Sequence, residues 1–261
     1  SDNITAKGSL QVNRRLNNKG RNITLRVNYG YNDGETDKYS YSDTYYYLAQ
    51  KDSIRNQYVD NWSNGYNYKV QMSYTEPIFT NRFLQFRYSY QYKRSRSEKY
   101  TYNWDKELEE YSHLPDTASS NCYRNEYSNQ QANISLRTVR EKYYYNIGMS
   151  IEPQKSTSVT YVGDSIKNTL SRHVINYAPL FDFRYRFSKQ SQLRIMYRGR
   201  SSQPSMTDMQ PVTDNSNPLN IKVGNPSLKP SYDNMVTLFY NSYMTKTQRG
   251  LTLHASFNNT M

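Results

Sequence analysis

The sequence predicts an all-β chain: an antiparallel, up-and-down transmembrane β-barrel with short periplasmic turns and long extracellular loops. Three observations lead there. Apolar and polar residues alternate with period two in about ten segments, whereas helical spacing is rare. The connections between these segments alternate short and long, the sorting expected of a barrel whose strand ends face two different compartments. Finally, 29 tyrosines sit in a chain that is only 35% apolar, with a mean hydropathy of −1.02. So little apolar material would suit a disordered chain, but disordered segments are poor in aromatics. A membrane barrel resolves the conflict, because its strands need apolar groups on one face only.

Each strand is read from its alternation, since successive side chains point to opposite faces. The first places Ile4, Ala6, Gly8, Leu10 and Val12 on one face and Thr5, Lys7, Ser9 and Gln11 on the other. The second sets Ile23, Leu25, Val27, Tyr29 and Tyr31 against Asn22, Thr24, Arg26 and Asn28. The third sets Tyr66, Tyr68, Val70, Met72 and Tyr74 against Asn67, Lys69, Gln71 and Ser73. The fourth sets Leu84, Phe86, Tyr88, Tyr90 and Tyr92 against Gln85, Arg87, Ser89 and Gln91. A fifth, weaker strand carries Ala132, Ile134 and Leu136, and a sixth carries Tyr143, Tyr145, Ile147, Met149 and Ile151. The seventh opposes Phe181, Phe183, Tyr185 and Phe187 to Asp182, Arg184 and Arg186. The eighth opposes Leu193, Ile195 and Tyr197 to Gln192, Arg194 and Arg198. Val236, Leu238 and Tyr240 mark a ninth, and Leu251, Leu253, Ala255 and Phe257 a tenth.

Short links join strands one and two (16–20), three and four (76–81), five and six (138–142), seven and eight (188–191), and nine and ten (244–250). Long polar links fall between them, at 32–65, 93–126, 153–172 and 201–230. In hydrocarbon every backbone N–H and C=O must be paired within the protein, which only helices and closed barrels achieve. A spanning strand needs about 9–11 tilted residues, close to the length of these segments. Tyrosine suits the membrane boundary, with an apolar ring and a hydroxyl that seeks water. Tyr29, Tyr31, Tyr66, Tyr68, Tyr90 and Tyr92 lie toward the long-loop ends and would form the outer aromatic girdle.

After the eighth strand the chain reads Gln203-Pro204-Ser205-Met206-Thr207-Asp208-Met209-Gln210-Pro211, then Asn217-Pro218-Leu219-Asn220-Ile221, then Gly224-Asn225-Pro226-Ser227-Leu228-Lys229-Pro230. This stretch resembles the proline-rich signature of TonB-dependent outer-membrane receptors, in particular the barrel domain common in Bacteroidetes-type bacteria. The motif match covers 179–230, and the strand pattern extends it over most of the chain. As a loop it makes physical sense: Asn-Pro and Gly-Asn-Pro form turns, and proline bars strand continuation. The loop is expected to fold over the barrel mouth. One departure is Ser231, where the family often carries Glu. The resemblance implies a barrel of about twenty-two strands, an N-terminal plug domain and energisation by TonB. The chain supplies about ten strands, so residues 1–261 are expected to be part of an outer-membrane barrel, with the plug not included.

The implied function is uptake of an unidentified solute across the outer membrane of a Gram-negative cell, with outer-membrane lipid around the wall. The alternative is a non-transporting structural or adhesive barrel whose loops bind a partner. A nucleic-acid-binding β-protein is disfavoured: stacking platforms need basic and aromatic residues on one face, and these strands separate them. No enzyme constellation, cofactor motif or metal-ligand spacing appears. His113, His173 and His254 are far apart in sequence, and Cys122 is the single cysteine. The net charge, 34 − 22 = +12, has a place on the polar faces. Arg26, Lys69, Arg87, Arg184, Arg186, Arg194 and Arg198 all fall opposite the apolar series. On the lipid side each would cost about 2–4 kcal/mol at midplane, so they are expected to line the lumen, pairing with carboxylates such as Asp182 or favouring anionic solutes. Tyr46, Trp62 and Trp104 in the long links are candidates for ligand capture outside the cell.

Overall fold

The computed structural model describes residues 1–47, 50–117, 119–162, 165–202, 204, 206–209, 213–214, 222–225, 227–229 and 231–261. The strands are β1 (Asp2–Arg15), β2 (Asn22–Tyr46), β3 (Lys51–Phe79), β4 (Arg82–Asp105), β5 (Glu110–Tyr111), β6 (Asn121–Val139), β7 (Tyr143–Val162), β8 (Ser165–Arg186), β9 (Ser191–Ser202), β10 (Thr213–Asp214), β11 (Lys222–Val223), β12 (Ser231–Met244) and β13 (Arg249–Thr260). A single helical turn, α1, covers Met206–Met209. Ten strands pair in the order β1-β2-β3-β4-β6-β7-β8-β9-β12-β13, every one antiparallel to its neighbours, while β5 hangs on β4 and β10 pairs with β11. The sheet is open, and among the described residues β1 and β13 each carry one unpaired edge.

The ten segments recognised from their alternation are these ten strands. Tight turns close one end: β3 and β4 are joined through Thr80 and Asn81 alone, with Asn81 at a positive φ of 61°. Gly20 closes the β1–β2 turn at φ 100°, a conformation that L side chains rarely adopt. At the other end the long links differ from expectation. Three of them are largely strand: β2 and β3 stay in register up to Tyr46 and Lys51, β4 and β6 from Lys99 and Asn121 downward, and β7 and β8 pair up to Val162 and Ser165 across one register shift at Thr160/Tyr161. The physical reason is that backbone pairing continues where both faces are wet, so the apolar alternation that signals a strand fades while the ladder does not. Cys122, expected in a loop, therefore lies within β6 and is 7% exposed.

There is no core between layers. Among the described residues only Cys122, Val159 and Met209 are buried hydrophobics. The outward apolar residues are open to the surroundings: Leu25 is 43% exposed, Phe86 44%, Ile134 48% and Ile147 50%. Ile23, Phe183 and Ile195 share that single-layer sheet, and among the described residues no second sheet packs on them. A sheet that leaves its apolar face uncovered in this way requires a hydrocarbon environment.

Candidate functional site

The register carries one face without interruption from β1 to β13. Gln11 stands opposite Arg26, Arg26 opposite Gln71, and Lys69 opposite Gln91. Arg87 stands opposite Asn133, Arg184 opposite Arg194, and Arg194 opposite Phe239. Arg186 and Arg198 share this face by the two-residue period. All seven basic residues singled out from the sequence thus lie on the side opposite the exposed apolar series.

Their surroundings differ. Asp182, with 13% of its side chain exposed, accepts two hydrogen bonds from Arg194, both at 3.0 Å, and one from Arg184 Nη2 at 3.4 Å. The carboxylate lies between two arginines that the register sets directly opposite each other, a like-charge pairing that would otherwise destabilise the sheet. Arg26 donates to Gln11 Oε1. Among the described residues Lys69, Arg87, Arg186 and Arg198 make no ion pair. Arg87 and Arg198, with Arg200, border a polar groove of about 310 Å³ that crosses β4 to β9. Its walls include Gln131, whose amide donates to Glu152 Oε1 at 2.7 Å, and Asn146, whose buried Oδ1 has no hydrogen-bond partner. Arg200 was not among the residues singled out, although it continues the two-residue spacing of Arg194 and Arg198.

The motif loop turns toward the same face. Arg172, on the polar side of β8, donates from Nη1 to the Leu228 carbonyl at 2.6 Å and to Met209 Sδ at 3.1 Å. Met209 is 2% exposed, and the Asn225 N–H donates to the Asp208 carbonyl at 2.6 Å. The described part of the loop, Pro204, Gly224, Asn225 and Leu228 among it, is thereby tied over the inner side of β8. Ser205, Pro211, Asn217, Pro218, Pro226 and Pro230 lie outside the described residues. Arg172 sits in a segment read as a link, so nothing in the alternation drew attention to it.

The aromatic candidates take the other face. Trp62 lies opposite Glu35 and Glu98 on the tyrosine side of the ribbon, with the Arg96 guanidinium 5.8 Å from its ring. Trp104 meets Tyr111 edge-on at 5.0 Å. Tyr39, Tyr58, Tyr102 and Tyr111 complete this cluster at centroid spacings of 5.0–5.9 Å. The side chain of Tyr46 lies outside the described ones. Tyr58 donates to Asp37 Oδ1 at 2.6 Å, and that bond, with burial, pushes its phenol up to about 12. Burial likewise raises the Cys122 thiol, which disfavours the reactive thiolate.

One sheet, greasy outside and basic inside, with tight turns at one end and tall ribbons at the other, defines an outer-membrane β-barrel protein. The sequence matches the outer membrane protein beta-barrel family over residues 14–261, and the chain belongs to that family. Among solved structures it is similar to FpvA of P. aeruginosa bound to pyoverdines, with a TM-score of 0.58, 11% identity, and coverage of 97% of this chain and 32% of that one. It is also similar to BauA, the ferric preacinetobactin receptor of Acinetobacter baumannii, with a TM-score of 0.56, 9% identity, and coverage of 97% and 37%. The ferric citrate transporter FecA matches at a TM-score of 0.53 and 10% identity, with coverage of 98% and 38%. At these identities the likeness is one of fold, and the chain spans roughly a third of the length of these structures. No curated protein matches the sequence.

Proposed function

We propose that the chain forms part of the wall of a larger outer-membrane barrel, a TonB-energised receptor that takes up a scarce solute. The observation that carries this reading is the polar face shared by the paired strands, with basic residues beside a groove. The open edges of β1 and β13 support the partial-barrel reading, because hydrocarbon leaves unpaired strand edges unsatisfied. Asp182 bridges Arg184 and Arg194 and offsets part of their charge, and the trio braces the wall. Arg87, Arg198 and Arg200 supply a positive potential at the groove, suited to an anionic solute or to carboxylates of a plug domain. The loop tied to Arg172 narrows the passage on the extracellular side. No catalytic, metal or cofactor chemistry enters this function.

The test is genetic and biochemical. Deleting the gene in its host and growing cells with one scarce nutrient limiting at a time is expected to give a defect for one nutrient. The same defect should appear when TonB is removed. Normal growth on every limiting nutrient would overturn the transport reading. Within the receptor, Arg87→Gln with Arg198→Gln is expected to weaken uptake of that nutrient, while Arg26→Gln leaves it unchanged.

A further inference from the structure

The positive charge of the chain is concentrated at one end. The tight-turn segments 14–21, 76–82, 137–142, 186–189 and 244–249 hold twelve lysines and arginines. Only Glu76 and Glu141 oppose them there, a net of 12 − 2 = +10 out of +12 for the whole chain. In an outer-membrane barrel the short turns lie on the periplasmic side, so this end faces the periplasm. Consecutive tight turns are two strands apart, roughly 10 Å. Five of them lay down an arc of positive charge about 40 Å long.

Part of this charge is engaged within the wall. Arg21 pairs with Glu76. Arg15 donates to the Asn17 and Asn18 carbonyls at 2.9 and 3.0 Å, and the Arg137 guanidinium lies 5.3 Å from the Phe83 ring. Lys19, Lys142, Arg186, Lys189 and Lys246 are exposed and make no ion pair among the described residues. By the two-residue period Lys142 and Arg186 belong to the inner face, while Lys19, Lys189 and Lys246 occupy turn tips. None of the five belongs to the outward series that meets lipid. The Arg186 N–H donates to the Lys142 carbonyl at 2.7 Å, which makes these two residues neighbours.

A groove of about 420 Å³ opens at the same lip, lined by Arg186, Lys189, Gln190, Gln192, Asn241 and Tyr243. The Tyr243 N–H donates to the Gln190 carbonyl at 3.0 Å and ties β12 to the β8–β9 turn. Tyr243 stands opposite Gly250, which has no side chain to cover its ring, and is 47% exposed. The chemistry of this groove selects among anions. A guanidinium and an ammonium hold a carboxylate. Three side-chain amides, each both donor and acceptor, match amide groups. An exposed ring accepts the C–H side of a sugar. A phospholipid head offers phosphate but no amide, and it reaches only the outward series. A small anion has no use for an arc about 40 Å long. An extended polymer of acetamido sugars and peptide stems, with carboxylates at intervals, offers all of these groups along its length.

We infer that the periplasmic lip of this wall is a docking surface for the peptidoglycan layer. Arg186 and Lys189 hold a stem carboxylate in the groove, and the cations of the neighbouring turns, Lys142 and Lys246 among them, follow the polymer along the arc. The inference rests on outer-membrane placement and not on transport.

The experiment uses the full-length protein in mild detergent and follows its co-sedimentation with sacculi purified from its host. Two further probes are the same sacculi with their carboxyl groups converted to amides, and mixed micelles containing phosphatidylglycerol. The native protein is expected to sediment with untreated sacculi and to lose that binding on amidation. Raising the salt from about 0.1 to about 1 M, which shortens the screening length from about 10 to about 3 Å, should release it. Arg186→Gln with Lys189→Gln should weaken binding about tenfold, the scale of one lost charge-assisted contact. Lys142→Gln with Lys246→Gln should weaken it by a smaller factor, and Arg94→Gln, at the extracellular end, should leave it unchanged. Heat-modifiable migration reports that the barrel is intact, and because the two pairs lie on different turns, either one decides if the other fails to fold. Sedimentation indifferent to amidation, or unchanged in both pairs, would overturn the inference. So would a preference for the phosphatidylglycerol micelles that the same pairs abolish.

Discussion

The lower and upper halves of β2, β3 and β4 share one backbone ladder and differ in almost everything the side chains do. Below, Val27, Val70 and Met72 face outward from a wet inner face of Arg26, Lys69 and Gln71. Above, the outward positions are Glu35, Trp62 and Glu98, then the ring cluster, and water reaches both faces. The lesson is that pairing alone sets the strand, while the surroundings set which residues may occupy each face. Six substitutions break or sharpen that contrast, and one titration probes its upper half.

The largest effect is expected from Val70→Arg, which puts a guanidinium in hydrocarbon and should cost about 2–4 kcal/mol. Asn64→Arg, six residues higher on the same face, should cost about 1 kcal/mol or less. Urea unfolding of the full-length protein in vesicles measures both, and equal losses would erase the distinction between the halves. Asp182→Asn should follow, at about 1.5–3 kcal/mol for charge-assisted bonds, because Arg184 and Arg194 then face each other without their shared carboxylate. A double-mutant cycle with Arg194→Gln should recover most of that cost. Gly148→Ala comes next: its Cβ would approach Ser135 Cβ to 2.7 Å and the Ile134 carbonyl to 3.0 Å, overpacking worth about 1–3 kcal/mol. In the upper half, Gly34→Ala would meet the Asn3 side chain at 3.3 Å and the Asp2 carbonyl at 3.5 Å and should be tolerated. Tyr39→Ala should cost about 0.5–1.5 kcal/mol per lost ring pair.

The smallest effect concerns the Tyr58 phenol, which is raised from 10.0 to about 12 by its bond to Asp37. Since its folded value lies above its unfolded one, the stability it contributes is fully present below pH 10 and disappears as pH rises through about 12. Asp37→Asn should bring the phenolate absorbance transition down toward the ordinary value, and an unmoved transition would contradict the assigned cause.

This contrast also explains what could be read from the residues alone. Ile23 to Tyr31 or Phe181 to Phe187 announce strands because one side meets hydrocarbon, and all seven basic positions then follow from the two-residue period. The continuation of β2 from Asn32 to Tyr46 carries no such sign, since Asp33, Glu35 and Asp37 occupy the very series that was apolar below. Arg172 and the groove at Asn146 were illegible for a different reason. They depend on which strands and which loop come together across the sheet, and local alternation does not encode that. The motif loop was visible as turn chemistry around Gly224 and Asn225, but its anchor was not.

The paired ladder of the spanning strands carries one last implication, for how such a wall can change length. Its described irregularities fall at Pro77/Phe79 and Thr160/Tyr161, near strand ends. Removing a single residue from the middle of a spanning strand would turn every oily group beyond it inward and every cation outward. Heritable insertions and deletions there are therefore confined to even steps, while the tall ribbons outside can gain or lose residues one at a time.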